Sequence, residues 1–455
     1  MGQIFDYNLS TWQLYVYNVV LLLSYLYLIA FKYVGKQVHC YIVCLFFYGM
    51  FNDFSVLMTG GRSITNIYQI VMLTWGLMLV SRTRFSERIG QQKITFVLFA
   101  IYGLYFFFSS IFLHSDNVML TLAQFSKLFI PVCFLLVMKD IAFQGEIESL
   151  FWTFWELIGL QILFSLFKMI LIGGFLEGWV GSLSGVNGGG MGTSLPLLGL
   201  ILFALKTDLK INTLQDVLFL IGLLLLGFAT GKRAVWILFP GLFVLLGLYA
   251  YRQNIAHKMI IIALAVPLML YAGLRLTPTL NPEREVGGSF DPVFALEYGL
   301  KYSAGIDDKH EDVQSGVGRI GALNWMWQRL DKMDKSTLFG SGLEYMIYAD
   351  HKNYSNQSYY QGIRTRGSIT GVVNMFMTIG LIGVILYLLF VLSLFLQNKS
   401  RIGRVLMVVA LFDFVFYNAT ILTSTPLLTL TLFLSLLSEE EYKKERIETV
   451  NSLSL

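Results

Sequence analysis

Apolar stretches bounded by charge or glycine recur along almost the whole chain, and most are long enough to be read as helices that cross a bilayer. They fall near residues 14–35, 38–58, 64–81, 94–114, 117–138, 148–173, 192–205, 215–230, 234–250 and 257–275. After a long polar interval, three more follow near 369–396, 403–418 and 422–437. About 12–14 transmembrane helices are therefore expected, because hydropathy fixes span boundaries poorly. The fold class this predicts is an all-α polytopic membrane protein with one large, partly helical extracytoplasmic loop. Its expected organisation is transmembrane helices over 1–274, the extracytoplasmic loop over 275–368, C-terminal transmembrane helices over 369–437 and a cytoplasmic tail over 438–455.

Composition agrees with that pattern. The chain is 56% hydrophobic, 15% aromatic and only 14% charged, too apolar for a single soluble core. Its net charge of +4 comes from scattered Lys and Arg, so it lacks the basic stripe that a nucleic-acid binder needs. Cys40, Cys44 and Cys133 all fall in expected spans, and no Cys/His spacing suits a metal, so neither a disulfide nor a zinc site is expected. The N-terminal MGQIFDYNLSTW has no basic region before its first apolar run, which is therefore expected to remain as a span.

Charge also orients the spans. If the connection carrying Arg82, Arg84, Arg88 and Lys93 is cytoplasmic, alternation puts Lys32, Lys36, Lys139, Lys206, Lys210, Arg252, Lys258, Lys399, Arg401 and Arg404 on the same side. The Gly-rich segment 173–192, the TGKR turn at 230–233 and the interval 275–368 then lie outside.

These three outer segments carry features that a connector does not require. In 173–192, GGFLEGWVGSLSGVNGGGMG, glycines permit close backbone approach and exposed amides that suit an anion or a sugar; a flexible linking loop has the same composition. In TGKRAVW, Lys232 and Arg233 stand at the mouth of an apolar helix, either facing a partner in a polar cavity or snorkelling to headgroups. Within the third segment, Ile320, Leu323, Met326, Trp327, Leu330 and Met333 recur at helical spacing. On a wheel with Arg319 at zero this stripe spans roughly 320° to 100°, with Arg329 near its margin at about 280°. Arg319 thus points into the apolar face and calls for an anionic partner, unless it escapes to water at the helix start or pairs with Glu311 or Asp312.

A long outer loop between late spans, the turn TGKRAVW, an Arg followed by Trp and then FGSG, and finally TIGLIGVILY together resemble the O-antigen polymerase and ligase superfamily. This superfamily contains Wzy-type polymerases and related ligases of bacterial surface glycans. The resemblance covers roughly residues 173–395 and rests on the order of features more than on any one motif. It implies a GT-C-like fold in the bacterial inner (cytoplasmic) membrane. Arg233 matches the arginine of the family's Ser-Arg-Gly-like turn, though Gly231, Lys232 and Ala234 surround it here. Arg319 matches the Gly-Arg arginine upstream of Trp325, and Phe339, Gly340 and Gly342 match the following Gly-rich turn. Arg329 also stands ten residues before Gly340, a spacing described for some Wzy polymerases. Ligases place a histidine shortly before the Gly-Leu-Ile-Gly helix. The corresponding stretch here, RTRGSITGVVNMFMTIGLIG, has none, which favours a polymerase in which Arg364, Arg366 or Ser368 fills that place.

The implied reaction passes a growing glycan from undecaprenyl diphosphate to a hydroxyl of the next lipid-linked repeat unit, with inversion at the anomeric carbon. The diphosphate leaving group is stabilised by guanidinium groups, with no cofactor and no metal expected. Candidate diphosphate ligands are Lys232, Arg233, Arg319, Arg329, Arg364 and Arg366. Candidate bases for the acceptor hydroxyl are Glu344, Asp350 and His351, each of which reads equally as solvated loop surface. The implied partners are the lipid-linked donor and acceptor glycans, the bilayer itself and a chain-length regulator protein. The product is O-antigen of lipopolysaccharide, capsule or exopolysaccharide. Two alternatives stand beside this reading: a ligase that delivers glycan to a lipid or protein acceptor, and a lipid-linked oligosaccharide flippase or other transporter. A transporter would explain Lys127 and Lys168 in spans, but no obvious internal repeat accompanies them.

Overall fold

A computed structural model describes residues 11–47, 65–83, 92–172, 180–183, 190–250, 255–277, 280–304, 319–343, 359–360, 363–364, 370–417 and 419–453. Among these the chain is helical, apart from a two-residue antiparallel ladder that pairs Tyr359–Tyr360 with Ile363–Arg364. Five helices are long and apolar enough to cross a membrane, and six shorter apolar ones accompany them, so the chain has the character of a membrane protein.

The first half contains α1 (Thr11–Tyr27, continued as a π-helical turn, Leu28–Lys32), α2 (Gln37–Phe47), α3 (Thr65–Ser81) and α4 (Lys93–Phe107, continued by Phe108–Leu113). Then come α5 (Val118–Phe143), α6 (Ile147–Ile172), α7 (Met191–Thr207) and α8 (Leu214–Ala229). Next are α9 (Val235–Leu245, continued by Leu246–Ala250) and α10 (Ile255–Leu276). The polar interval contains α11 (Pro292–Ala304), α12 (Arg319–Leu330) and α13 (Lys335–Phe339). The last group is α14 (Gly371–Leu396), α15 (Arg401–Phe416), the single turn α16 (Thr420–Thr423) and α17 (Thr425–Leu453). Each apolar stretch read from the sequence holds one of these helices. The differences are at the ends: α5 runs on through Lys139 to Phe143, and α17 continues through the charged EEEYKKER of the expected tail.

α7 explains why the helices pack where they do. It is buried on every face, as a helix apolar all round must be. Around it pack α6, α8, α9, α15 and α17, while α5 joins α3 and α17, and α14 joins α4 and α15. Asn117 caps α5 by accepting from the Met119 and Leu120 amides, and Thr213 forms a reciprocal capping box with Asp216 at the start of α8.

The wheel drawn for the third outer segment needs one correction. In α12, apart from Gly321, which has no side chain, the buried or half-buried residues are Arg319, Ala322, Leu323, Trp325, Met326, Arg329 and Leu330, whereas Ile320 is 53% and Trp327 71% exposed. The packed face is therefore turned by roughly 70° from the one drawn through all the apolar residues. Trp325 sets it, meeting Phe376 of α14 edge-on at 6.1 Å. Arg319 stays on this face, and Arg329 moves from its margin to its interior.

Candidate functional site

Short polar contacts tie the ends of many helices together at one end of the bundle. The Leu343 amide donates to Asp116 Oδ2 in the α4–α5 turn at 2.8 Å, and the Gly371 amide at the start of α14 donates to the Tyr417 carbonyl at 3.2 Å. Thr193, near the start of α7, shares a 2.9 Å hydrogen bond with the Tyr417 hydroxyl. The basic connections lie toward the other end of these helices. There Lys206 pairs with Asp216 at 3.1 Å, and Arg404 lies 5.5 Å over the Tyr249 ring.

Two glycine motifs from the sequence interlock at the first end. α14 is broken at Gly380, whose φ of +72° and ψ of −175° only glycine adopts readily. A break in an apolar helix frees carbonyls that must find donors. The FGSG turn supplies them: the Ser341 amide reaches Met377 O and the Gly342 amide reaches Thr378 O, both at 2.9 Å. Tyr105 of α4 donates to Ile379 O at 2.7 Å. On the far side of the turn, the Phe339 carbonyl faces Ser109 Oγ at 3.2 Å and His114 Nε2 at 3.0 Å.

Arg319 is half-buried at the start of α12. Its guanidinium carbon lies 4.3 Å from the Tyr417 ring centroid, a cation–π arrangement that aligns the flat group with the ring. One turn back along α15, buried Asp413 accepts from the Ile421 amide at 2.8 Å and from Ser194 Oγ at 3.3 Å. Ser194 and Thr420 are hydrogen-bonded at 2.5 Å. Asp413 thus stands one turn from the ring that Arg319 covers; Glu311 and Asp312, the acids expected to pair with Arg319, lie outside the described residues.

The TGKR turn closes another side. Gly231 takes a positive φ of +65°, which ends α8 and swings Lys232 inward to a buried position. Gly192 lets α7 approach it: a Cβ there would stand 2.4 Å from Thr230 Oγ1 and 2.9 Å from Lys232 Cγ. Arg233 donates to the Tyr298 hydroxyl of α11 at 2.6 Å and lies 5.0 Å over its ring. Beneath the turn, fully buried Lys168 donates to the Ala229 carbonyl, the last residue of α8, at 3.0 Å.

Arg329 is placed differently. It bridges Asp334 Oδ2 and Ser336 Oγ, both at 2.8 Å, while Asp334 caps α13 by accepting from the Thr337 amide at 2.7 Å. Hydrogen bonds from Ser336 and Thr337, with Arg329 adding its charge, draw the Asp334 carboxyl down to about 2. The geometry gives Arg329 a local task, bracing the α12–α13 corner. Glu344, Asp350, His351 and Arg366 lie outside the described residues, and Arg364 is placed only by its backbone pairing with Tyr359. Of 173–192, residues 180–183 and 190–192 are described; the Gly181 amide donates to Ser165 Oγ and the Ser182 amide to Gln161 Oε1.

Sequence reading passed over Asp413, Tyr417 and Tyr298. Asp413 had a readable signal, a lone acid inside the apolar run LFDFVFY, which in a membrane helix points to a partner or a function. Tyr417 and Tyr298 had none, since an aromatic near a span end, as Tyr417 is, or a single tyrosine in a polar loop, as Tyr298 is, is ordinary. Compared with models of protein families, with curated proteins and with solved structures, the chain matches none.

Proposed function

We propose that the protein is a glycan polymerase of the Wzy type, a metal-independent, inverting glycosyltransferase. It joins undecaprenyl-diphosphate-linked repeat units on the outer side of the bacterial cytoplasmic membrane. On this reading the chain crosses the bilayer about thirteen times, and the end that carries α11 to α13 faces outward. The observation that carries it is that α14 links two features read from the sequence: its first residue, Gly371, bonds to Tyr417, over which Arg319 lies, and its break at Gly380 interlocks with the FGSG turn. The same end carries Lys232 and Arg233, joined to α11 through Tyr298.

Chemistry supports the same reading. Breaking the bond between the anomeric carbon and the diphosphate leaves negative charge on the departing oxygen, and fixed cations stabilise that charge where it develops. Arg319 is suited to this because the Tyr417 ring lies against its guanidinium and helps to hold it in place. A planar guanidinium then presents two parallel donors to a phosphate edge. The acceptor hydroxyl must lose a proton as it attacks, and Glu344, Asp350 and His351 remain the groups proposed for that step.

The test is to give the purified protein undecaprenyl-diphosphate-linked repeat units in detergent and resolve the products by size. A ladder of lengthening glycans is expected. Transfer only to a lipid A acceptor would make the protein a ligase. No transfer, with movement of the lipid-linked unit across vesicles, would make it a transporter.

A further inference from the structure

A cavity away from the arginine site opens between α1, α6 and α8. α1 and α8 each pack against α6 and leave a groove of about 720 Å³ between them. Its walls are apolar: Leu23 and Tyr27 from α1, Leu163 from α6 and Leu218 from α8 are all strongly exposed, and the Trp155–Phe219 stack, at 3.8 Å between ring centroids, forms its back. Gly159 stands at its floor, where an added Cβ would meet nothing within 4 Å. Toward the end with the basic connections the groove becomes charged: Lys32 Nζ donates to Glu156 Oε1, and Tyr33 donates to Glu156 Oε2 at 2.7 Å.

We propose that this groove is a phospholipid site, which takes one acyl chain along Leu23, Gly159, Leu163 and Leu218 and the lipid phosphate at Lys32. Three observations point to this occupant. Two of its three helices, α1 and α6, are long and apolar enough to cross a membrane and α8 is a shorter apolar helix, so a hydrocarbon chain is the solvent that the groove meets. Its size falls within the range of sites that enclose small molecules, well above a crevice between side chains. Among the described lining residues the charged ones, Lys32 and Glu156, sit together at one end, where headgroups would lie. The Lys32 ammonium carries three donors and spends one on Glu156, and Tyr33 keeps the other Glu156 oxygen satisfied while Lys32 turns partly to a phosphate. α1 widens into its π turn at Leu28–Lys32, which brings Lys32 to the groove mouth. The site is independent of the glycan reading, because it involves none of the arginine-site residues.

The experiment uses the full chain in nanodiscs with a phosphatidylglycerol that carries a photoreactive diazirine on one acyl chain, and adducts are mapped by peptide mass spectrometry. Adducts should concentrate on the peptides containing Leu163 and Leu218. In Gly159→Leu, whose Cβ enters open space and whose side chain extends into the groove, they should fall to the level of the other lipid-facing helices while the protein stays as thermally stable as the parent. Diacylglycerol carrying the same chain, and Lys32→Gln with phosphatidylglycerol, should each label the groove roughly fivefold less, the effect of losing about 1 kcal/mol from one Lys–phosphate contact. Adducts spread evenly over all lipid-facing helices, or groove labelling unchanged in Gly159→Leu, would overturn the site. Equal labelling by diacylglycerol would overturn the phosphate contact on which the proposal depends.

Discussion

Gly380 and Gly340 are in backbone contact across the loop boundary: a Cβ on Gly380 would stand 2.5 Å from the Gly340 amide nitrogen and 2.3 Å from the Leu338 carbonyl oxygen. The break in α14 and the turn before Ser341 therefore depend on each other. Neither forms the observed geometry alone, because the broken helix needs the turn's amides and the turn needs the freed carbonyls.

Gly380→Ala is accordingly expected to be destabilising by roughly 2–6 kcal/mol, the sum of a positive-φ strain and an overpacking term against backbone that cannot move aside. Gly159→Ala is the control, since its Cβ enters open space and alanine favours the helix. Thermal unfolding of both variants in the same detergent checks this; equal midpoints would remove the interlock from the account.

Arg329→Ala should weaken the α12–α13 corner, and Asp334→Asn should weaken it by a similar mechanism. With Asp334 partly exposed, their coupling in a double-mutant cycle is expected at only about 0.2–1 kcal/mol. Glycan transfer by folded Arg329→Ala should remain close to that of the parent. A loss of transfer at full stability would return Arg329 to the diphosphate site.

Asp334 also fixes a pH dependence. Its folded carboxyl is depressed to about 2 from an ordinary 3.8, so its share of stability is present above the unfolded value and is lost as pH falls from about 4 through 2. Carbon-13 NMR of labelled aspartate in the full chain should show one carboxyl that titrates near pH 2 and disappears in Asp334→Asn. Titration of that carboxyl at the ordinary value would show that the cap is not held in solution.

Arg233→Lys keeps the charge but not the planar contact with Tyr298, and it is expected to lose glycan transfer at equal abundance. Tyr298→Phe retains the ring under the guanidinium and removes only the hydroxyl, so it should retain most activity. Full activity in Arg233→Lys would give Arg233 a structural or headgroup role.

How much of this was legible in the sequence depended on what hydropathy can see. The helices were, because a run such as 94–114 is apolar from end to end, and the helix with its π turn covers Lys93–Leu113. The break at Gly380 was not, because TIGLIGVILY is apolar throughout and hydropathy carries no record of φ. Arg319 was correctly placed on the packed face of α12, but that face was drawn through Ile320 and Trp327, which are exposed. Apolar residues near a membrane need not be buried in protein, so the wheel found the face and missed its angle. The Arg329–Asp334 pair crosses a helix end, where the periodicity that links i and i+4 no longer applies.

The outward orientation has its own check. Single cysteines at 184 and 289, in a chain with Cys40, Cys44 and Cys133 replaced, should both react with a membrane-impermeant thiol reagent in cells whose outer envelope has been permeabilised. Labelling of only one would contradict the proposed number of crossings.

The central claim is that Arg319 meets charge that grows as the glycosidic bond breaks. The most direct measurement is the rate of ladder formation by purified parent, Arg319→Lys and Arg319→Ala at saturating lipid-linked repeat unit, with folding matched by thermal midpoint. The account predicts that turnover collapses in both variants, by about a hundredfold or more, as happens when one preorganised donor to a developing charge is removed, while binding of the repeat unit weakens far less. Ladders formed by Arg319→Ala at the parent rate, or a loss that follows protein stability alone, would contradict it.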